Sequence, residues 1–428
     1  MRSARVWRAL LGVERTVLEN VEFGSDGGGE SGCVVFHVRP SVAARRRCGA
    51  CRRRCARYDS GAGRRRWRAL DLGNLRAFVE AEAPRVSCPV HGVVVAHVPW
   101  ARQGAGHTLA FDQTVAWLAT QTSKSAVTHL MRIAWRTVGS IIARVWADVE
   151  ALGDRLDGLT KIGIDEISYK RGYLYITCVV DHETGRLVWA APGRDRATLR
   201  LFFDQLGPER SARITHVSAD AASWIAAVVT ERCPDAVQCA DAFHIVAWAM
   251  DALDDVRKQV YAQARKTSPT VSKGRNRRDP AGDARKINHS RYALWKNPDK
   301  LTDNQRAKLA WIATTDNGLY RAYLLKEGLR FVFAVKGDAG KQALDRWLSW
   351  ARRSQLPSFV HLARRVDALR TRIDATLEHG LSNARIESVN TKIRLITRIA
   401  FGFRSPQALI ALAMLSLGGH RPTLPGRT

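Results

Sequence analysis

A chain of 428 residues carrying 68 Lys and Arg against 40 Asp and Glu, a net charge of +28, is long enough for two or three domains with cores of their own. Charge of that size and sign selects a polyanion as partner, nucleic acid foremost, because the field concentrates phosphates and speeds encounter. No run approaches the roughly 18 apolar residues that span a bilayer, the best being Ala408–Leu417, and the apolar stretch Ala9–Val13 is too short for a secretory signal. We therefore expect a soluble, cytoplasmic, nucleoid-associated protein with no membrane partner.

In chain order, residues 1–40 read as an irregular or β-rich lead-in, with Val34–Val38 a strand and Gly24–Gly32 a Gly- and Ser-rich interruption. Cys48-Gly49-Ala50-Cys51 and Cys88-Pro89-Val90-His91 follow. Two turns that each present two N/S ligands close a tetrahedron, so Cys48, Cys51, Cys88 and His91 are expected to hold a structural Zn²⁺, with Cys55 a substitute for one of them. Residues 39–68 hold twelve Arg against the single Asp59. Within that run, Arg64, Arg65 and Arg66 beside Trp67 suit phosphate contact with some stacking, the alternative being a solvated hairpin edge. From Thr108 to about Val149 apolar residues recur at helical spacing, broken by Thr122-Ser123-Lys124-Ser125. Short helices separated by Ser/Thr caps resemble a helix-turn-helix, whose last helix would bring Trp135, Arg136 and Thr137 to bases or phosphates.

From Thr160 the pattern changes. Lys161–Ser168, Tyr173–Val180 and Leu187–Ala191 read as three consecutive strands, with a hairpin turn at Asp181–Gly185. A helix at Thr198–Leu206, a strand at Ile214–Ala219, a helix at Ser223–Arg232, a strand at Ala236–Ala240 and a helix from Ile245 to about Tyr261 come next. Three antiparallel strands followed by alternating helix and strand is the ribonuclease-H-like order, an α/β fold with a mixed sheet. The stretch Arg257–Arg291 reads as a mobile basic loop around Gly274–Pro280, and residues from about 292 to 378 as an all-α insertion.

Asp165 lies on the first of these strands amid apolar residues, where a carboxylate needs a partner or a metal. Asp220, ending the fourth strand, and Glu387, on a helix beyond the insertion, are its expected companions. Three hard oxygen donors suit two Mg²⁺ or Mn²⁺ ions, the arrangement that drives phosphodiester cleavage without a Ser, Cys or His nucleophile. Glu166 should point to the opposite face of the strand and serve only structurally. Asp241 and His244 either line the same pocket as accessory residues or form a satisfied structural pair. On the last helix Ile386, Val389, Ile393 and Ile396 share one face, while Glu387, Asn390, Arg394 and Arg398 share another, a metal ligand followed by a track of DNA contacts.

The segments Gly163-Ile164-Asp165-Glu166, Val217–Asp220, Asp241-Ala242-Phe243-His244 and above all Ser382–Ile393 with Arg398 and Phe401–Arg404 resemble the DDE transposases of bacterial insertion sequences, in the L-three group. Ala384 stands where that group often has Gly. The resemblance implies a catalytic triad of Asp165, Asp220 and Glu387, with Asp241 and His244 matching an accessory element. It also implies binding of double-stranded DNA with terminal inverted repeats, strand cleavage, transfer of the freed 3′-hydroxyl into target DNA, and a homo-oligomer, dimer or larger, to pair two ends. The domains then read as a zinc-binding DNA-binding segment over 1–105, a helix-turn-helix domain over 106–155, a catalytic domain over 156–258 and 379–428, and the helical insertion over 259–378. In that insertion Trp295 or Trp311 would stack on an unpaired base. Competing expectations are a DNA-binding regulator descended from a transposase and a ribonuclease-H-like structure-specific nuclease.

Overall fold

The computed structural model describes residues 6–7, 11–25, 32–267, 282–381 and 383–426. The loop expected at Gly274–Pro280 and most of the Gly24–Gly32 interruption lie outside the described residues. Two compact units emerge, Met1–Arg155 with Lys392–Thr428, and Leu156–Thr391.

The first unit opens with seven strands: β1 (Thr16–Ser25), β2 (Gly32–Pro40), β3 (Ala56–Asp59), β4 (Arg64–Arg68), β5 (Arg76–Glu82), β6 (Arg85–Cys88) and β7 (Gly92–Val95). Four make a sheet in the order β1-β2-β5-β4, and the other three a small ribbon in the order β3-β6-β7. Val34, Phe36 and Val38 alternate along β2 and bury with Val79 of β5, Trp67 of β4 and Trp100. Trp67 is 2 % exposed and meets Trp100 edge-on at 5.6 Å, so it belongs to the core and offers no stacking surface. Its neighbours are also engaged: Arg64 Nε and Arg66 Nε reach the two oxygens of Glu80 at 2.9 and 2.5 Å, and Arg65 donates to the Ala105 carbonyl at 2.7 Å. The cross-strand pairing of Arg66 with Glu80 sets this arrangement, which a linear reading of the basic run does not contain.

Three helices follow, α1 (Leu109–Gln121), α2 (Lys124–Met131) and α3 (Trp135–Glu150). Thr108 and Ser123 cap the first two through their hydroxyls, which accept from Phe111 N and Ala126 N. The wholly buried Asp112 faces Arg102 at 3.1 Å and Arg144 of α3 at 3.4 Å, tying α1 to α3 by a charge that would be costly unpaired.

In the second unit, β8 (Lys161–Lys170), β9 (Leu174–Asp181) and β10 (Leu187–Pro192) form the expected meander, followed by α4 (Arg196–Leu206), α5 (Pro208–Ser211), β11 (His216–Ala219), α6 (Ser223–Arg232), β12 (Val237–Ala240) and α7 (Ala242–Thr267). The sheet order is β10-β9-β8-β11-β12, with β11 parallel to both β8 and β12. Ile162, Ile164 and Val217 bury against Leu199, Phe202, Ile225 and Val229 of α4 and α6, covering one face.

The insertion consists of α8 (Gly282–Asn288), α9 (Arg291–Trp295), a short 3₁₀ turn at Pro298–Lys300, α10 (Asp303–Thr315), α11 (Asn317–Val335), α12 (Gly337–Arg352), α13 (Pro357–Asp367) and α14 (Arg370–His379). It shares one hydrophobic core with Ala240, Ile245 and Leu253 of β12 and α7. Thr376 of α14 also donates to the Ala240 carbonyl at 2.8 Å, so the last insertion helix covers the edge strand β12.

Two further helices are α15 (Ala384–Ile399) and α16 (Pro406–Leu417). Residues from Lys392 onward belong to the first unit, where α16 packs on α3 and α1. The reason is apolar demand: α16 is apolar almost all round, burying Leu409, Leu412, Ala413 and Leu415, and the helix-turn-helix leaves a face that such a helix covers. Among the described residues no helix is long and apolar enough to cross a membrane.

Candidate active site

Strand β8 is central in its sheet, and its alternation sends Ile162 and Ile164 into the core while Gly163 and Asp165 face the other side. Ile164 is in register with Ala219 on parallel β11, which places Asp220, the next residue, beside Asp165. The Asp241 amide donates to the Ala219 carbonyl at 3.1 Å, bringing the end of β12 to the same edge.

Helix α15 approaches this face at two points. A Cβ on Gly163 would lie 2.8 Å from Ile386 Cδ1, and Asn390 Nδ2 donates to Asp165 Oδ2 at 2.6 Å. Two strand residues advance about 6.6 Å and four helical residues about 6 Å, so the first turns of α15 run along β8. Glu387 is carried between the two contacts, half-buried, one residue after Ile386. The Gly163 contact has a measurable consequence. Gly163→Ala would also press on His182 Nε2 at 2.9 Å and Ser218 Oγ at 3.2 Å, a buried pair joined by a 2.6 Å hydrogen bond. Overpacking of that kind should lower stability by about 1–3 kcal/mol; an unchanged denaturation midpoint would show that α15 yields freely.

The acids are electrostatically coupled. Burial pushes the Asp165 carboxyl up to about 6, the Glu166 amide and the His244 imidazolium oppose that, and Asp220 and Asp241 add repulsion. Its Oδ1 accepts from Glu166 N at 2.8 Å. Asp241 is buried, its Oδ1 accepting from Phe243 N at 3.0 Å to cap α7 and its Oδ2 from His244 Nδ1 at 2.6 Å. That bond, together with the charges of Asp220 and Asp165, raises His244 to about 9, so an imidazolium faces the acid cluster at neutral pH. Asp241 thus caps α7 and holds His244, and both groups act electrostatically on Asp165. Glu166 takes the opposite face beside Arg194 at 3.5 Å, whose guanidinium lies 4.9 Å over Tyr175.

Asp165 is buried close to Asp220 and Asp241, and hard carboxylate oxygens of this kind suit divalent cations. Burial and the charges of Asp220 and Asp241 disfavour the ionised form of Asp165, and a hard cation would offset both penalties.

In the first unit, one ligand atom from each of Cys48, Cys51, Cys88 and His91 lies within 4.8 Å of the others. Cys48 Sγ to His91 Nδ1 and Cys51 Sγ to Cys88 Sγ are both 3.8 Å, and Cys88 Sγ to His91 Nδ1 is 3.6 Å. Zn–S bonds of ~2.3 Å imply tetrahedral edges of ~3.8 Å, so the donor set fits zinc. Cys55 stands outside the four, its Sγ donating to the Arg53 carbonyl at 3.3 Å.

The expected DNA contacts divide. Trp135 and Arg136 are exposed at the start of α3 and Thr137 is half-buried, with Lys124 lying 5.0 Å over the Trp135 ring. Arg394 and Arg398 are exposed on the part of α15 that belongs to the first unit. Asn390 is 1 % exposed, with its amide spent on Asp165 instead of facing solvent. The available signal was its spacing: three residues after Glu387 a helical side chain returns to the same face. In the insertion, Arg291 lies 3.9 Å over Trp295 and Lys286 5.0 Å over Trp311, so a base stacking on either covered face would have to displace a cation.

Comparison with known proteins gives a consistent assignment over nearly the whole chain. Residues 162–413 match the transposase model of the ISL3 group, 96–146 its helix-turn-helix domain, and 44–91 the zinc-finger of the IS204/IS1001/IS1096/IS1165 transposases. The chain is 64 % identical over 436 residues to the transposase for insertion sequence element IS1557 of Mycobacterium tuberculosis, covering 100 % of this chain and 98 % of that one. It is 26 % identical over 411 residues to the transposase for insertion sequence element IS1001 of Bordetella parapertussis, covering 95 % and 96 %.

Proposed function

From the premise that this chain belongs to the ISL3 family of DDE transposases, DNA-cleaving and strand-transferring enzymes, we propose that Asp165, Asp220 and Glu387 are its catalytic triad. The observation that carries this reading is the hydrogen bond from Asn390 to Asp165, because it holds the helix bearing Glu387 against the strand bearing Asp165, beside Asp220. Asp165, Asp220 and Glu387 would hold two Mg²⁺ or Mn²⁺ ions. When bound, these ions supply activation of the attacking oxygen and neutralise charge on the departing 3′-oxygen. The chain's own residues do the rest. Asn390 fixes the orientation of the Asp165 carboxylate, and the Asp241-held His244 imidazolium meets the scissile phosphate as a cation. In cleavage, water attacks phosphorus and the bond to the 3′-oxygen breaks; in transfer, the freed 3′-hydroxyl attacks a target phosphodiester and a target 3′-oxygen leaves.

Cys48, Cys51, Cys88 and His91 hold Zn²⁺ and stabilise the ribbon. The start of α3, at Trp135, Arg136 and Thr137, reads the terminal inverted repeats, and Arg394 and Arg398 contact backbone. Two element ends have to be joined, so the working form is a homo-oligomer on two ends and a target duplex. A regulator without catalysis has no use for a buried, mutually repelling acid cluster. Incubation of the full chain with element-end DNA and Mg²⁺ is expected to yield 3′-hydroxyl nicks at the repeat boundary. Binding to that DNA without metal-dependent nicking overturns the reading.

A further inference from the structure

A cleft of about 360 Å³ opens in the first unit between the edge of the four-stranded sheet and the zinc ribbon. Five guanidinium groups line it, from Arg39, Arg45, Arg46, Arg57 and Arg64, against the carboxylates of Glu19 and Glu82. Arg39 is paired with Glu19 at 3.1 Å, and Arg64 with Glu80 at 2.9 Å. Arg45, Arg46 and Arg57 have no carboxylate at ion-pair distance among the described residues, and all three are exposed; Arg57 donates only to Ser60 Oγ at 2.8 Å. Three cations at one concave rim, none at ion-pair distance from a carboxylate among the described residues, repel each other, and an anion seated among them removes that repulsion.

The backbone there is held in an unfavourable form. Arg46 has φ 58°, a left-handed conformation that a non-glycine residue adopts at a cost of order 1 kcal/mol. Two contacts keep it: its carbonyl accepts from Cys55 N at 2.8 Å, and Cys48 begins the zinc knuckle two residues on. The adjacent Arg47 turns its guanidinium to the carbonyls of Ala43 and Arg52, both at 3.1 Å. The knuckle thus spends Arg47 on its own backbone and leaves Arg45 and Arg46 pointing outward.

We propose that this cleft seats consecutive backbone phosphates of duplex DNA, a sequence-independent anchor separate from the start of α3. The inference deepens the DNA-binding reading above and rests on it. Phosphate backbone is favoured over a free nucleotide because guanidinium groups dominate the lining and, among the described residues, it holds no Phe, Tyr or Trp for a base to stack on, its one aromatic ring being the His97 imidazole, which lies against Arg52. The anchor rests on Arg45, Arg46 and Arg57, whereas Arg64 at the same cleft is paired with Glu80.

The test is a salt titration of DNA binding by the zinc-loaded full chain, using an element-end duplex and an unrelated duplex of equal length. Each lost phosphate contact should lower the log–log slope by about 0.9. The triple variant Arg45→Gln, Arg46→Gln, Arg57→Gln is expected to reduce the slope by about 2 to 3 on both duplexes, leaving their affinity ratio unchanged. Glu82→Gln, which removes a carboxylate from the rim, is expected to tighten binding to both, a gain that misfolding does not produce. An unchanged slope in the triple variant, or a loss confined to the element-end duplex, overturns the proposal. So does competition of the wild type by millimolar inorganic phosphate with the slope preserved, which would mark a small-anion site. Failure here with nicking intact leaves the transposase reading standing; a wild type that binds neither duplex removes both.

Discussion

Asp165→Asn is expected to abolish metal-dependent nicking of element-end DNA, by ~10³-fold or more, while DNA binding stays within about two-fold. Two-ion sites supply several kcal/mol of transition-state stabilisation, and each ~1.4 kcal/mol is a decade in rate. Glu387→Gln should fall as far, because an amide neither neutralises the ions nor competes with water for them. Asn390→Ala should fall less, by about 10- to 100-fold, since it frees the Asp165 carboxylate without removing it. Stability separates these effects from misfolding. Burial raises Asp165 to about 6, above the usual ~3.9 of an unfolded Asp, so the folded state binds a proton more tightly there. Stability from that group is present below about pH 4 and lost as pH rises towards 6. In metal-free protein at pH 7, Asp165→Asn should therefore be more stable than the wild type, by order of 1–3 kcal/mol, and the difference should vanish near pH 4. Nicking that survives in Glu387→Gln would reassign the third acid. A destabilised Asp165→Asn at neutral pH would refute the electrostatic account of the cluster.

Zinc removal has the other large expected effect. The ribbon β3-β6-β7 has a core of only Cys48, Cys55, Val86, Cys88 and Ala96 with Val94 packed against it, too small to fold on apolar burial alone. Structural zinc in peptides of this kind is worth about 10–16 kcal/mol of apparent binding energy, which is folding energy for the segment. The wild type should carry one zinc per chain by elemental analysis, and the double variant Cys48→Ser, Cys88→Ser none. In that variant, or after chelation, the ribbon segments 44–59 and 85–96 should become open to proteolysis at their Arg residues. Because Arg46 is placed by the knuckle, DNA binding should also lose its dependence on Arg45, Arg46 and Arg57. A wild type with a metal content near zero refutes the assignment.

Local chemistry was legible in the chain. The strand and helix periods from Lys161 to Arg232 agree with the structure to within a few residues, since burial on one face writes a period of 2 or 3.6 directly into the residues. Cysteine and histidine spacing pointed to the four clustered ligands for a similar reason: two-residue gaps define turn geometry whatever surrounds them. An acid on an apolar strand announced itself at Asp165 because the cost of burying it is independent of context.

Partner choice was another matter, and only the tertiary structure decided it. Asn390 and Asp165 are 225 positions apart, and nothing local distinguishes an amide that faces phosphate from one that donates to a buried carboxylate. Strand pairing sets Glu80 opposite Arg66 and within reach of Arg64, and alternation turns Trp67 inward, away from any stacked base. The segment from Lys392 groups with the first unit because α16 found its apolar complement on α1 and α3. Sequence by itself determined which residues carry charge, ligand atoms and periodic apolar faces. The fold determined which of them are already satisfied, because pairing depends on register and packing between elements far apart in the chain, and so which ones remain to act on DNA.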